Sequence, residues 1–188
     1  RKPPIPEQFP EDELNELFEL MHSINPPERS DEMERKINCA ASWIARGRAV
    51  VKRNSRTKEI VQVFPPEEPY RLIEQLSTLL NSLIIIHMNQ VSDRVQKIFM
   101  DVVTGCVPRD RMEIVNCLWQ EGNTGLKREE LTHLLNSFNN SSLTHLLQDM
   151  RLLKLIVYHD TKYYLEPNFL ELFSEWLVVE PVFEKVKR

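Results

Sequence analysis

The sequence predicts a mainly helical protein with small β elements, consisting of a helical domain with a β-hairpin followed by a winged helix-turn-helix. First, only 4 glycines occur among 188 residues, and apolar residues recur every three or four positions along most of the chain, as in amphipathic helices. Second, β-like segments interrupt this spacing near residues 49–64 and 155–165. Third, Arg109–Pro167 follows the order helix, turn, helix, turn, helix, two strands, which is typical of a winged helix.

The first half begins with a proline-rich arm, Arg1–Pro10, and a helix, Glu11–Ile24, that ends at Asn25-Pro26-Pro27. A β-hairpin is predicted where β-branched residues flank the polar turn Asn54–Thr57. The other elements of this half are the helix Asp31–Arg48, the strands Ala49–Arg53 and Glu59–Phe64, and the helices Glu67–Asn89 and Ser92–Gly105.

The second half contains the three helices and two strands of the predicted winged helix, followed by a closing amphipathic helix. The predicted elements are Arg109–Gln120, Lys127–Asn136, Asn139–Leu152, the strands Leu155–His159 and Tyr163–Leu165, and the last helix Pro167–Leu177. Apolar spacing predicts that Leu143, Leu146, Leu147 and Met150 pack against Ile114 and Leu118. The predicted division is therefore an arm and helix over 1–30, a helical domain over 31–105 with its hairpin at 49–64, a winged-helix domain over 107–177 and a tail over 178–188.

Composition limits the classes of function. The net charge is −4, whereas domains that coat nucleic acid nonspecifically are usually basic. The three cysteines are odd in number and far apart, which predicts a reduced, cytoplasmic setting. The longest apolar run, Leu83–Ile86, is too short to span a bilayer, so no membrane partner is expected. The chain has no histidine pair with metal spacing and no glycine-rich phosphate loop. We therefore expect no catalytic residue, metal or cofactor in this chain, which would not be an enzyme by itself.

The third helix of the last unit is the predicted recognition helix, whose N-terminal part would enter a major groove. Its early side chains can bond to bases or phosphates, and three later cations would contact phosphates. The alternative is a protein-docking winged helix, since Arg109–Arg188 contains 10 basic and 12 acidic residues. The candidate DNA-binding residues here are Asn139, Asn140, Ser141, Ser142, Thr144, His145, Arg151, Lys154 and Lys162.

The densest group of cations lies on the predicted hairpin and the chain leading into it. A projecting basic hairpin can lie against a phosphate backbone. The alternative is a solvated hairpin whose charges prevent edge-to-edge pairing. The group, called the basic cluster below, consists of Arg46, Arg48, Lys52, Arg53, Arg56 and Lys58.

One segment, Pro69–Leu80, resembles the sensor-2 helix of AAA+ ATPases of the MoxR and MCM type. The resemblance implies that Asp31–Arg48 is the first lid helix, that Val91-Ser92 opens the next, and that Arg71 contacts the γ-phosphate of ATP held by a separate core domain. The chain departs from the family at His87–Gln90, where a Gly-Arg pair is usual, and it has no Walker A or Walker B segment. Without the resemblance, Arg71 is a surface arginine that pairs with Glu67 or Glu74.

Together these features predict a non-catalytic, nucleic-acid-interacting module that forms the C-terminal region of an AAA+ ATPase. Its expected partners are DNA and either an AAA+ core domain, which would bring the ATP, or further copies of the chain. Two other hypotheses stay open, a dimeric winged-helix transcriptional regulator and a winged-helix protein-docking adaptor. A P-loop encoded upstream of Arg1 would favour the ATPase.

Overall fold

The computed structural model describes residues 30–87, 91–135 and 138–176. These residues form a mainly helical structure with two small antiparallel hairpins, as predicted. The predicted arm, the helix Glu11–Ile24 and the tail after residue 177 lie outside the described residues. The described helices include none that is both long and apolar enough to cross a bilayer.

Helix α1 (Asp31–Arg48) is the central helix of the first half. Ser30 caps it, accepting a hydrogen bond from the backbone N of Met33 at 3.3 Å, and acidic residues occupy its first turn, where they favour the positive end of the helix dipole. Its buried residues include several alanines, whose small side chains allow neighbouring helices to approach closely. Helices α2, α3 and α7, defined below, all pack against it.

The predicted hairpin is present, with shorter strands β1 (Val51–Arg53) and β2 (Ile60–Val63). Val51 pairs with Val63, and a bulge then shifts the register so that Arg53 faces Ile60. In the turn, the Asn54 side chain accepts hydrogen bonds from the backbone N of two following residues. Side-chain acceptance of this kind makes asparagine favourable in turns.

Two helices follow, α2 (Tyr70–Ile86) and α3 (Asp93–Gly105). Helix α2 begins three residues later than the predicted start at Glu67. The reason is Pro69, because the residue before a proline disfavours helical backbone angles, and Pro69 itself is the N-cap. Ser92 caps α3 through the backbone N of Val95 at 3.4 Å.

The second half consists of α4 (Arg109–Glu121), a 3₁₀ turn (Gly122–Thr124), α5 (Arg128–Leu134), α6 (Asn140–Leu152), the strands β3 (Ile156–His159) and β4 (Lys162–Leu165), and α7 (Pro167–Trp176). Leu126 forms a single antiparallel β-bridge with Tyr163 of β4, which ties the segment before α5 to the hairpin. Gly125 lies against the Tyr164 ring with φ +61°. An added Cβ would lie 2.4 Å from that ring, so the approach requires glycine.

One cluster of buried side chains runs through both halves. Trp43 of α1 contacts Phe169 of α7 edge to face, with ring centroids 5.1 Å apart, and α7 packs on both α1 and α3. The last helix therefore closes onto the first half. Of the residues predicted to pack around α6, five belong to this buried cluster, and Leu146 is partly buried and packs against it. The predicted domain boundaries themselves stay a prediction.

Candidate nucleic-acid interface

Helix α6 has one buried side and one polar, exposed side. Leu143, Leu147 and Met150 are fully buried, so residues on the opposite side face solvent. The resulting exposed stripe, called the α6 stripe, consists of Asn140, Ser141, Thr144, Gln148 and Arg151. Four of these five residues were predicted from the sequence, and Gln148 was not.

The other predicted residues of this helix have local roles or lie off the stripe. Asn139 is the N-cap and accepts a hydrogen bond from the backbone N of Ser142 at 2.7 Å. The side chain of Ser142 is exposed, while His145 is partly buried. The N-terminus of α6 is therefore capped by Asn139, and the exposed polar side chains of the α6 stripe begin next to this cap.

Arg128, at the start of α5, adds a cation that the sequence analysis did not identify. Its Nη1 lies 3.4 Å from the Thr144 hydroxyl oxygen, and Thr144 donates to the carbonyl of Asn140 at 2.8 Å. Arg128 also lies 3.9 Å from Glu129. Its position beside the α6 stripe depends on how α5 packs on α6, so sequence spacing alone gives no signal for it.

Arg53, at the end of β1, joins the hairpin to α6. Its Nε lies 3.1 Å from Oδ1 of Asp149, and Nη2 contacts the same oxygen. Nη2 also donates to Oε1 of Gln148 at 3.0 Å and to the carbonyl of His145 at 3.2 Å. Nη1 donates to the carbonyl of Lys58 at 2.8 Å. The guanidinium is thus occupied within the chain and is not presented to an external phosphate.

The same guanidinium places the hairpin tip next to the α6 stripe. The backbone carbonyl of Lys58 and the side-chain oxygen of Gln148 both accept hydrogen bonds from the Arg53 guanidinium, so the two residues lie next to the same group. Arg56 and Lys58 at the tip and Lys52 on β1 are exposed. The structure therefore brings the hairpin and the predicted recognition helix, treated separately in the sequence, to one side of the molecule.

The remaining two residues of the basic cluster make contacts within the protein. Arg46 donates to the carbonyl of Lys154 at 3.3 Å, and its guanidinium lies 5.4 Å from the centre of the Phe169 ring. Arg48 donates to the carbonyl of Cys106 at 3.0 Å and lies 3.8 Å from Glu67. Both cations lie in the last turn of α1 and link it to later parts of the chain.

A second internal arginine, Arg111 of α4, fixes the base of the hairpin. It donates to the carbonyls of Gly47 and Ala49, the latter at 2.9 Å. Burial lowers the pKa of the Arg111 guanidinium, while the negative charges of Asp110 and Asp149 raise it. Arginine keeps its proton in proteins, so it provides a permanent cation against the carbonyls at the end of α1.

The β3–β4 hairpin carries aromatic side chains beside α6. The Arg151 guanidinium lies 5.1 Å from the centre of the Tyr158 ring, and the Tyr158 and Tyr163 centroids are 4.7 Å apart. Burial raises the pKa of the Tyr163 hydroxyl. The Lys162 ammonium donates to the carbonyl of Thr124 at 2.8 Å, whereas Lys154 is exposed. Of the three cations predicted for phosphate contact in this half, Lys162 is thus the one whose charged group is bonded to a carbonyl within the chain.

Arg71 is exposed in the first turn of α2. Glu67, one of its two expected partners, lies near Arg48 instead, and none of the ion pairs among the described residues involves Arg71 or Glu74. The side chain is therefore presented to solvent within this part of the chain.

The described residues contain no group of histidine, cysteine and acidic side chains arranged to hold a metal ion. Comparisons with protein-family models, curated proteins and solved structures find no match for this chain.

Proposed function

We propose that this chain is a non-catalytic module that binds double-stranded DNA through a winged helix-turn-helix. In this proposal α4, α5 and α6 are the three helices, β3 and β4 form the wing, and α6 is the recognition helix. The β-bridge between Leu126 and Tyr163 supports it, because it holds the segment before α5 beside a strand of the proposed wing. A major groove about 12 Å wide admits one helix, and the α6 stripe supplies the polar groups.

The observation that carries the proposal is the position of the basic hairpin tip beside α6. Contacts to phosphates fix the register of a DNA-binding protein, and contacts to base edges give specificity. In this proposal Arg56 and Lys58, exposed at the hairpin tip, contact the phosphates that flank α6 in the groove. Arg53 neutralises Asp149, a carboxylate that would otherwise repel phosphates from α6.

The overall charge agrees with this arrangement once the hairpin is included. Residues Arg109–Arg188 are slightly acidic taken alone. The hairpin adds two exposed cations at its tip, Arg56 and Lys58, and the Lys58 carbonyl bonds to the guanidinium that contacts α6. The interface is therefore more basic than the sequence interval that contains the proposed winged helix.

A salt titration tests the proposal. Binding to a fluorescent duplex is measured by anisotropy over a range of salt concentrations, for the parent chain and for the variant Arg56→Ala/Lys58→Ala. The slope of log K against log salt should fall by about one unit per lost phosphate contact, similarly for duplexes of different sequence. The matched control is Arg94→Ala/Lys97→Ala, which removes the same charge from exposed positions of α3.

Equal slopes for the hairpin variant and the parent would remove the hairpin from the interface. A folded chain that binds no duplex at low salt would overturn the proposal and favour the protein-docking adaptor. Equal losses in the hairpin variant and the α3 control would indicate a diffuse charge effect with no defined interface.

A second function, the lid of an AAA+ ATPase, is favoured by Arg71. We propose that this arginine serves the γ-phosphate of ATP held by a core domain encoded with this chain. Its exposure at the start of α2 and its lack of an ion pair among the described residues support the proposal. In a full-length protein, Arg71→Ala should lower ATP hydrolysis without lowering thermal stability. Hydrolysis at the parent rate would remove the arginine from this role.

A further inference from the structure

The Gln148 amide has a defined orientation because its neighbour can only donate. An arginine guanidinium carries N–H donors and no acceptor, so the Gln148 atom 3.0 Å from Arg53 must be the oxygen. The amide nitrogen then points away from Arg53. Gln148 is exposed in the α6 stripe, and its NH₂ group forms no hydrogen bond among the described residues. It is therefore presented outward as a donor.

A fixed glutamine differs from a free one in the base edges that it matches. A free glutamine pairs with adenine by using its oxygen and its nitrogen together, because adenine presents one acceptor and one donor in the major groove. The hydrogen bond from Arg53 uses one lone pair of the Gln148 oxygen and turns that oxygen toward the protein, so the NH₂ donors face outward. Guanine presents two acceptors there, N7 and O6, either of which can accept from the Gln148 NH₂ group. Unlike adenine, guanine has no N–H donor on this edge that would be left without an acceptor.

We propose that Arg53 and Gln148 together make α6 select guanine at one position of the DNA site, with Gln148 as the contacting residue and Arg53 as the positioning residue. This inference rests on the proposed DNA binding through α6. Arg53 is suited to the role because its planar fork reaches Asp149 and Gln148 at once. A lysine in its place would still neutralise Asp149 but lacks the rigid fork that holds both groups.

The inference is tested by selecting sites from a randomised duplex pool. The parent chain is compared with Gln148→Glu, Arg53→Lys and the control Gln75→Glu, which makes the same chemical change at an exposed position of α2. The parent and the control should enrich guanine at one shared position. Gln148→Glu keeps an oxygen toward Arg53 and loses its donors, so guanine preference there should fall roughly tenfold, within the range for one base contact. Arg53→Lys should shift that position toward adenine.

Each outcome bears on the inference, and one separates it from the proposed function. Parent binding with the expected salt slope but no guanine preference would overturn this inference alone. A preference unchanged in both Gln148→Glu and Arg53→Lys would overturn it as well. Absence of duplex binding by the folded parent would overturn it together with the proposed function. Should Arg53→Lys fail to fold, judged by circular dichroism, the comparison of Gln148→Glu with its control decides.

Discussion

Removing one partner of the Arg53–Asp149 ion pair should lower stability strongly, because both side chains are largely buried. They are 14% and 15% exposed, and the guanidinium has further acceptors on α6 and in the hairpin turn. Arg53→Ala would leave the Asp149 carboxylate without its partner in a poorly hydrated place. Breaking a fully buried pair in this way costs about 3–5 kcal/mol. The remaining exposure reduces the expected loss in unfolding free energy here to about 2–4 kcal/mol.

A double-mutant cycle separates the pair from the other losses. Asp149→Ala and the double variant complete the cycle, and unfolding free energies come from urea titrations followed by far-UV circular dichroism. The double variant has no unpaired charge, so it should be more stable than the sum of the single losses predicts. The expected coupling free energy is about 1–3 kcal/mol, the range for residues in contact.

The matched control is a second arginine–carboxylate pair, Arg109 with Glu113, on the surface of α4. Its atoms are 3.1 Å apart, but the arginine side chain is 92% exposed. Coupling in its own cycle should stay below about 0.5 kcal/mol. If the Arg53 pair shows coupling as small as this control, the hairpin is not held by it, and the argument that Arg53 positions the hairpin tip fails with it.

Three further measurements test the packing. Gly125→Ala should cost about 2–4 kcal/mol in unfolding free energy, because of its positive φ and the clash with Tyr164. The control Gly105→Ala adds a Cβ with no atom within 4 Å, so it should leave stability within about 1 kcal/mol of the parent. Similar losses at both sites would contradict the close approach of Gly125 to the Tyr164 ring. Phe169→Ala should cost about 3–5 kcal/mol by opening a cavity beside α1, and a loss under about 1 kcal/mol in urea unfolding would indicate that α7 is not docked there. Burial raises the pKa of the Cys117 thiol, and nearby acidic residues raise it further, so its alkylation rate should rise with pH at a higher midpoint than a free cysteine, and a midpoint at or below that of a free cysteine would count against burial.

The local features of the fold could be predicted from sequence because their causes lie within a few residues. Ser92 and Asn139 cap helices by accepting bonds from backbone N–H groups three residues later. Apolar spacing likewise predicts the buried side of α6. The predicted start of α2 at Glu67 is three residues too early, and Pro69 is the local signal that marks the true start.

The contacts that assemble the candidate site depend on residues far apart in the chain. Asp149 lies 96 residues after Arg53, and Arg111 lies 64 residues after Gly47. Neither pairing has a local pattern, because any of several carboxylates or carbonyls would satisfy an arginine equally well. Gln148 was missed for the same reason, since its significance comes from the guanidinium that faces it.

The basic cluster illustrates this limit and changes the functional argument. In the sequence its six cations are alike, and each is an equally good candidate for a phosphate contact. In the structure Arg46, Arg48 and Arg53 bond to carbonyls or carboxylates within the chain, although Arg48 is also exposed. The side chains of Lys52, Arg56 and Lys58 are exposed and make no such bond among the described residues. Arg53 bonds to both the hairpin turn and α6, and so holds the hairpin tip next to that helix. Charge neutralised within the protein thus shapes the proposed interface as much as charge presented to solvent, and a count of basic residues does not distinguish the two.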